Sequence, residues 1–246
     1  MNYNSIKNII FVGDIHGDFN VILKYIKIYD LRNCFFYVCG DFGVGFDSEN
    51  KELKKFKYFS NALKSRNNKL AAIRGNHDDP KYFNNNFKVE NIECIPDYTI
   101  LNINNIKILG IGGSISIDRS PNRYYNWDGR KVNVNYWSDE KTNLLDNNQL
   151  NSINDVDIIV SHDSPTFCYP QTKSGIINWL TCDLTLDNDV SENRNKLEII
   201  YNNLKTHNKI KYWFYGHYHE YKNQNIDDTN FILLDCDMFW DLRFVK

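Results

Sequence analysis

The chain has 246 residues, a formal charge of −2 and a hydrophobic fraction of 42%. A chain of this length and balance buries a substantial core, and it offers no basic surface for nucleic acid. No apolar run approaches the roughly 20 residues of a membrane helix, and the first residues show no secretory signal pattern. The six cysteines form no Cys-x-x-Cys pair, so we expect reduced thiols, several of them on buried strands, and a cytoplasmic location.

Five short apolar segments are predicted to be strands, and each runs directly into a polar cluster. In chain order the apolar segments are Ile9–Val12, Phe35–Cys39, Leu70–Ile73, Ile158–Val160 and Tyr212–Tyr215. The clusters that follow them are Gly13–Gly17, Gly40–Gly43, Arg74–Asp78, Ser161–Pro165 and Gly216–His219. Because ligands of open α/β sheets bind at the carboxyl ends of the strands, we expect the five clusters to meet in one crevice.

Helical patterns separate these strands, and further strands follow them. The predicted helices are Val21–Ile28, Asn50–Arg66, Ser138–Ile153 and a later helix through Leu204 with Ser191 as its N-cap. The predicted antiparallel pieces are a hairpin of Ile100–Ile103 and Ile106–Ile111 and two closing strands, Phe231–Leu234 and Leu242–Val245. Strands that alternate with helices, with antiparallel additions, predict an α/β fold with mixed β-sheets.

Five of the six histidines lie in the strand-end clusters, whereas His207 follows the last helix and is predicted to lie on the surface. A single histidine after a strand is most often structural, but this set is accompanied by two aspartates and an asparagine. The candidate residues are His16, His77, His162, His217, His219, Asp14, Asp41 and Asn76. Mixed nitrogen and oxygen donors suit divalent first-row metals, and the absence of cysteine from the clusters disfavours a Cys-rich structural zinc site.

Taken in order, the clusters resemble the motifs of the calcineurin-like metallophosphoesterases. The form Gly40-Asp41-Phe42-Gly43, followed later by the segment Gly112–Arg119, resembles the small bacterial and phage-type members of that family. The family pattern is Asp-x-His, Gly-Asp, Gly-Asn-His-Asp/Glu, a lone His and Gly-His-x-His. The chain has Gly13-Asp14-Ile15-His16, Gly40-Asp41, Gly75-Asn76-His77-Asp78, His162 and Gly216-His217-Tyr218-His219. The resemblance spans positions 13–219 and implies one domain over residues 1–246. Its implied fold is a four-layer αββα sandwich with a binuclear metal site at the strand C-terminal ends.

The resemblance also implies roles for individual residues around two divalent ions, Mn, Fe or Zn, which activate a hydroxide for attack on phosphorus. Asp14, His16 and His219 would hold one ion, and Asp41 would bridge to the other. The second ion would be held by Asn76, His162 and His217. Asp14 and His16 are two positions apart, as are His217 and His219, so on extended backbone each pair points to one side.

Three neighbouring residues complete the implied site. His77 would donate a proton to the leaving oxygen, and Asp78 would hold the His77 ring in the donating tautomer. Asn76 is also a predicted substrate contact. Arg74 precedes this motif, and two interpretations stay open for it: a bidentate phosphate ligand or an exposed arginine at a strand end.

The motif around Asp41 departs from many family members, in which an acidic residue lies three positions on and an arginine follows in protein phosphatases. Here the following residues are Phe42, Gly43 and Val44, so the arginine that grips phosphomonoesters is missing. Substrate choice is then expected in two aromatic loops, 119–140 and 164–188, which either stack a nucleobase or simply cover a sheet edge. Their residues of interest are Arg123, Tyr124, Tyr125, Trp127, Arg130, Tyr136, Trp137, Phe167, Tyr169 and Trp179.

The favoured prediction is a metal-dependent hydrolase of phosphodiesters or nucleotides. A phosphomonoesterase, including a Ser/Thr protein phosphatase, is the alternative, and a non-catalytic metal-site scaffold is a remote one. The expected partner is a small-molecule phosphoester or nucleotide, with no membrane and no strong nucleic-acid signal.

Overall fold

The computed structural model describes residues 3–84, 87–119, 125–127, 130–132, 137–170 and 176–244. Its strands are β1 Asn8–Val12, β2 Cys34–Val38, β3 Lys69–Ala72, β4 Lys88–Val89, β5 Ile92–Cys94, β6 Ile100–Ile103, β7 Ile106–Ile111, β8 Tyr125–Trp127, β9 Arg130–Val132, β10 Ile158–Ser161, β11 Tyr212–Tyr215, β12 Lys222–Ile226, β13 Thr229–Leu233 and β14 Phe239–Asp241. Its α-helices are α1 Phe19–Ile28, α2 Glu49–Lys64, α3 Asn147–Asn151, α4 Ile177–Leu180 and α5 Leu186–Leu204. Short 3₁₀ helices cover Pro80–Phe83 and Leu242–Phe244.

The strands form two mixed six-stranded sheets and a separate β8–β9 ladder. The first sheet has the order β14-β1-β2-β3-β5-β4, and the second has the order β12-β13-β11-β10-β7-β6. In each sheet the four central strands are parallel, and the two edge strands run antiparallel to their neighbours. Val12 pairs with Val38, and Val38 pairs with Ala72, so β1, β2 and β3 end at the same level. The mixed sheets of the prediction are confirmed.

Alternation of side chains along the first sheet builds two separate cores. One face, including Phe36 and Leu70, packs against α1 and α2 through residues such as Ile22 and Phe56. The strand positions in between point the opposite way, because the side-chain period of a strand is two. The first sheet is therefore covered on one face by helices and on the other by the second sheet.

Aromatic rings join the two sheets. Phe11 on β1 stacks on Phe214 of β11 with ring centroids 3.9 Å apart, within a core that both sheets share. The outer face of the second sheet, which includes Trp213, packs against α3 and α5 through Leu150 and Leu197. The four layers are therefore helix, sheet, sheet and helix, as the resemblance implied.

Several local predictions are confirmed. The β6–β7 hairpin turns at Asn104 and Asn105, whose φ angles of 53° and 64° match a two-residue turn with both residues left-handed. Cys34 and Cys94 are buried free thiols on strands of the first sheet. Among the described residues, no helix combines the length and apolarity that a membrane crossing requires.

Three element predictions are wrong. The helix α5 begins at Leu186, so Ser191 lies inside it and is not its N-cap. Asp187 and Asp189 occupy the first turn, where their negative charges interact favourably with the positive end of the helix dipole. Only α3 of the predicted helix Ser138–Ile153 is helical, because backbone carbonyls of the preceding segment accept hydrogen bonds from Arg74. The predicted strand Leu242–Val245 is a 3₁₀ helix up to Phe244, and Val245 lies outside the described residues.

Candidate metal centre

The ends of five parallel strands bring the predicted ligands together along one edge of the sandwich. The backbone N–H of His16 donates to the carbonyl of Asp41 at 2.8 Å, which joins the ends of β1 and β2. The backbone N–H of His217 donates to Asp14 Oδ2 at 3.0 Å, which joins the first sheet to the second. The convergence expected from strand-end placement is therefore present across both sheets.

One set of ligand atoms, here called the open group, comprises Asp14, His16, His219 and Cys236. Their ligand atoms all lie within 4.8 Å of one another, and the two histidines are exposed. His16 Nε2 is 3.2 Å from His219 Nε2, and His219 Nε2 is 3.4 Å from Asp14 Oδ2. One oxygen, two nitrogens and one sulfur thus converge at the rim of the site.

A second set, here called the buried group, comprises Asp14, Asp41 and His162. Their ligand atoms also lie within 4.8 Å of one another, and all three residues are buried. His162 Nε2 is 3.3 Å from Asp41 Oδ2 and 3.0 Å from the side-chain oxygen of Asn76. The His217 ring flanks this group, with its centroid 5.0 Å from that of His162. Asp14 belongs to both groups.

The position of the His162 ring proton indicates that the buried group can bind a cation. His162 Nδ1 is 2.8 Å from the carbonyl of Cys39, and a carbonyl only accepts, so Nδ1 carries a proton. The lone pair of Nε2 then faces two oxygen acceptors, those of Asp41 and Asn76. Three acceptors that face one another in a buried site require a proton or a metal ion between them. The donor set is the nitrogen and oxygen mixture that divalent first-row metals accept.

The electrostatics of the site agree with this fit. Burial lowers the pKa of His162, but the carboxylates of Asp41 and Asp14 outweigh burial and raise that pKa to about 10. Burial raises the pKa of Asp41, but His162, His77 and His16 together outweigh it and hold that pKa well below its usual range. Burial lowers the pKa of His217 to about 4, so this ring stays neutral at physiological pH and its lone pairs are free for ligation.

Asp41 belongs to the buried group and also faces a histidine of the open group. Its Oδ2 is 3.9 Å from His16 Nδ1 and 3.3 Å from His162 Nε2, while its Oδ1 accepts the backbone N–H of His77 at 2.9 Å. One carboxylate oxygen thus faces a histidine from each predicted ion set. This is the position that a bridging ligand requires.

The expectation of extended backbone at the ligand pairs is wrong. His16, His217 and His219 have φ angles of 43°, 72° and 50°, and Asp41 has 45°. Left-handed conformations are uncommon for residues with a side chain, and they concentrate at functional sites where the surrounding structure imposes them. Each pair converges because the chain turns sharply after its strand, and not because alternate residues of a strand share a face.

Two glycines of the motifs allow the carboxylates their close approach. A Cβ atom on Gly216 would lie 2.0 Å from Asp14 Oδ1, and one on Gly75 would lie 2.0 Å from Asp41 Oδ1. Real Cβ atoms do not come this near to an oxygen, so any side chain at either position would displace a candidate ligand. The close packing of these carboxylates therefore explains why glycine occupies the first position of the Gly-His and Gly-Asn motifs.

The structure places His77 beside the open group. Its ring centroid is 5.6 Å from that of His16, and its backbone carbonyl accepts the indole N–H of Trp137 at 3.2 Å. Together with the bond from its N–H to Asp41, this anchors the backbone of His77 on both sides.

The structure gives Asp78 a different role from the predicted one. Among the described residues, its carboxylate accepts four backbone N–H groups, those of Phe42, Gly43, Val44 and Gly75, at 2.7–3.1 Å. None of these bonds runs to the His77 ring. Burial raises the pKa of Asp78 to about 6 against the opposing effect of these amides. Asp78 therefore ties the Asp41 loop to the Asn76 loop, and it acts on His77 only through the backbone.

Neither interpretation of Arg74 agrees with the structure. Its side chain is 5% exposed, and its guanidinium pairs with Asp97 at 2.8 Å. The same group donates to the backbone carbonyls of Asp139, Glu140 and Lys141. These bonds use its three nitrogens, because Nε also donates to Asp97, so Arg74 holds the 139–141 segment rather than a phosphate.

The other predicted substrate contact, Asn76, is buried. Its amide nitrogen donates to Ser116 Oγ at 3.0 Å, and Ser116 Oγ donates to Glu140 Oε2 at 2.6 Å. Glu140 is fully buried, and burial raises its pKa to about 8. This chain of bonds orients the amide so that its oxygen faces His162. Sequence reasoning assigned no role to Ser116 or to Glu140.

Sequence reasoning also missed Cys236, because cysteine was taken to be absent from the clusters. A signal was available, since Cys236 follows the apolar segment of β13 as the other ligands follow their strands. Burial and the nearby carboxylates, Asp14 first, raise the pKa of its thiol to about 12.

The aromatic loops are only partly described. Arg123, Tyr124 and Tyr136, and the side chains of Tyr125, Trp127 and Arg130, lie outside the described residues and side chains. Phe167 packs on Tyr201 and Phe231 with ring centroids 5.4 and 5.3 Å apart, and Trp179 packs beside Leu186. The Tyr169 ring lies 4.2 Å from the guanidinium of Arg194. Phe167 and Trp179 therefore cover the core, whereas Trp137 reaches the site through His77.

The family model "Calcineurin-like phosphoesterase" matches residues 7–221. No curated protein matches. Similar solved structures include a predicted phosphoesterase from Streptococcus pneumoniae, with 11% identity, TM-score 0.35 and coverage of 94% of this chain and 72% of that one. A novel archaeal phosphodiesterase has 15% identity, TM-score 0.38 and coverage of 96% and 99%. The GAP50 anchor of the inner membrane complex of Plasmodium has 14% identity, TM-score 0.44 and coverage of 94% and 71%.

These structural scores are low, and the assignment rests on the family model, which covers most of the chain and every motif of the metal centre. The motifs, the two mixed sheets and the converging aspartates and histidines agree with it. The chain belongs to the calcineurin-like phosphoesterase family.

Proposed function

We propose that the protein hydrolyses phosphoesters with two divalent cations bound at the open and buried groups. The observation that carries this proposal is His162 Nε2, whose lone pair faces the oxygens of Asp41 and Asn76 while Nδ1 donates to a carbonyl. One ion would be held by Asp14, His16 and His219, and the other by Asn76, His162 and His217, with Asp41 between them. Two such ions lower the pKa of a water and neutralise charge on the phosphoryl oxygens.

His77 is proposed as the general acid. The leaving oxygen of a phosphoester needs a proton, and a histidine supplies one near neutral pH. The backbone of His77 is held by Asp41 and Trp137, so its ring stays beside His16 at the open rim. Asp78 contributes by fixing the two loops, as a positioning residue.

The proposed substrate is a phosphodiester or a nucleotide. In the pattern of the protein phosphatases the arginine follows the acidic position, which is Val44 here, and the next residue is Gly45, so no arginine there reaches a phosphomonoester. Arg74 is committed to Asp97 and to backbone carbonyls. The aromatic loops 119–140 and 164–188 supply rings instead, and Tyr169 with Arg194 is a described example of a ring beside a cation.

Two further proposals concern the chain as a whole. We propose that residues 1–246 form one domain, since strands from both halves of the chain share the central core between the two sheets. We also propose a cytoplasmic location, because the six cysteines are free and a reducing compartment keeps them so.

The test is parallel turnover of bis(p-nitrophenyl) phosphate and p-nitrophenyl phosphate with Mn²⁺, Fe²⁺ or Zn²⁺, before and after EDTA. We expect the diester to turn over faster and EDTA to abolish both reactions. If only the monoester reacts, the substrate proposal is wrong and a phosphomonoesterase, including a protein phosphatase, replaces it. If neither ester nor a nucleotide panel reacts while metal is bound, the protein is a metal-site scaffold.

A further inference from the structure

We propose that Cys236 is a thiolate ligand of the ion at the open group and makes this position selective for soft or borderline ions over Mn²⁺. The inference rests on the metal centre of the proposed function. It concerns a residue that lies outside every motif of the family pattern.

Sheet order places Cys236 beside the other ligands. The strand β13 pairs in parallel with β11, and Leu233 lies opposite Tyr215. The residues after Leu233 therefore run level with the Gly216–His219 cluster after β11. Cys236 arrives at the open rim for the same reason as His217 and His219, by following a parallel strand of the second sheet.

Backbone bonds hold the Cys236 turn against the end of β1. The N–H of Asp237 donates to the carbonyl of Asp14, and the N–H of Gly13 donates to the carbonyl of Met238, both at 3.0 Å. A Cβ on Gly13 would lie 2.1 Å from the carbonyl oxygen of Asp235, so the two segments are in direct contact. The segment that carries Cys236 is thus hydrogen-bonded to the segment that carries Asp14.

The geometry suits one ion. The Cys236 sulfur, the two histidine nitrogens and the Asp14 oxygen all lie within 4.8 Å of one another. With metal–sulfur and metal–nitrogen bonds of about 2.3 and 2.0 Å, ligand atoms on one tetrahedral ion are roughly 3–4 Å apart. Small side-chain movements close this gap, and the exposed His16 and His219 are free to make them.

A thiolate changes which ion is preferred. Soft sulfur ligands favour Zn²⁺, and carboxylate and water ligands suit Mn²⁺. The buried group offers nitrogen and oxygen donors and carries no such bias. The thiol releases its proton to solvent when the ion binds, as ligating cysteines do.

The experiment uses metal-free full-length protein that carries Cys182→Ser, because Cys182 is the exposed thiol and the other four cysteines are buried. This protein is titrated with Co²⁺, and bound cobalt is measured by equilibrium dialysis while the near-ultraviolet spectrum is recorded. We expect a thiolate-to-cobalt charge-transfer band that grows with bound cobalt. Adding Cys236→Ser removes the band and lowers Zn²⁺ affinity by roughly 10–100-fold or more, with a smaller effect on Mn²⁺.

A second measurement leaves Cys236 intact and so does not depend on the folding of a variant. In the Cys182→Ser protein, Zn²⁺ should slow the reaction of the remaining accessible thiol with a disulfide reagent by about tenfold or more, because a ligated thiolate is not available as a nucleophile. Cobalt that binds without the band, or a thiol that Zn²⁺ does not protect, overturns the Cys236 inference and leaves the metal centre standing. Failure to bind cobalt at all overturns both.

Discussion

The open group and the buried group share Asp14 and differ in their contact with solvent. In the open group the side chains of His16 and His219 are 38% and 52% exposed, whereas those of His162 and Asp41 in the buried group are 0% and 2% exposed. Charges interact more strongly where water is excluded. An ion in the buried group should therefore be held more tightly and exchange more slowly than an ion at the rim.

The pKa values of the histidines also differ between the two groups. The hydrogen bond to Asp14 raises the pKa of His219, while burial lowers that of His16. In the buried group the carboxylates of Asp41 and Asp14 raise the pKa of His162 to about 10, so a proton occupies Nε2 whenever no ion is bound there. The comparison teaches that the interior half of the site is built for retention of positive charge, and the rim for access by ligand and substrate.

The largest effect is expected from Asp14→Asn, because Asp14 is the residue that both groups use. Its loss should reduce bound metal from two ions per chain to fewer than one and turnover to background. Metal content by atomic emission and ester turnover check this. Asp228→Asn, in an exposed turn where asparagine accepts a left-handed backbone, is the matched control. If Asp14→Asn keeps one tightly bound ion, the two groups are independent and the shared carboxylate is not their link.

The next effect separates chemistry from metal binding at the open rim. His77→Ala should leave both ions in place and lower turnover by roughly 10²–10⁴-fold, most for esters with poor leaving groups. His207→Ala, at an exposed histidine whose ring contacts the backbone carbonyl of Ile153 and belongs to neither group, should behave as the unsubstituted protein. Loss of metal in His77→Ala would show that this ring is a ligand and not the acid.

A smaller effect, on metal affinity in the buried group alone, is expected from Ser116→Ala. Ser116→Ala removes the hydroxyl that accepts from the Asn76 amide and donates to Glu140, so the amide is no longer oriented. We expect the affinity of the slowly exchanging ion to fall by roughly 10–100-fold, with the open position unchanged, in competition dialysis. Ser114→Ala is the control, since the buried Ser114 hydroxyl has no hydrogen-bond partner in the described residues. Equal losses in both variants would contradict an orienting role.

The smallest effect is on stability. Burial raises the pKa of Glu140 from 4.5 to about 8, so between these pH values the folded chain keeps a proton that the unfolded chain has lost. The free energy of unfolding should then fall as pH rises, by about 1.4 kcal/mol per pH unit across this window. Glu140→Gln cannot titrate and should lose this contribution. Urea unfolding of both metal-free proteins at several pH values gives the two slopes, and identical slopes would contradict the buried neutral Glu140.

Much of the fold followed from local pattern. The β1, β2, β3, β10 and β11 segments are continuous apolar runs with polar clusters behind them, which is typical of parallel strands buried on both faces. The early start of α5 was not predictable in this way, because Arg119, which is distant in the chain, pairs with Asp183 and Asp189 around that start. The irregular 137–146 segment shows this directly, since the guanidinium of Arg74 takes three of its carbonyls.

In the candidate site, too, some features followed from local sequence and others depended on residues distant in the chain. Residue type and strand-end position predicted that Asp14, His162 and the other candidate ligands of the motifs would converge, and the structure brings them together. The roles of Arg74 and Asp78 depended on partners that no local pattern shows, namely Asp97 and the amides of the Asp41 loop. The left-handed backbone of His16, His217 and His219 is likewise imposed by the turns that the packed sheets allow.

The sequence by itself determined which atoms are available for chemistry, because side-chain type and placement after an apolar strand are local properties. Only the tertiary structure decided how these atoms are divided into an exposed and a buried group, because that depends on the order of strands in two packed sheets. Cys236 is the clearest example. It lies far from Asp14 and His16 in the chain and joins them only because β13 pairs with β11 and the β13 end is bonded to β1.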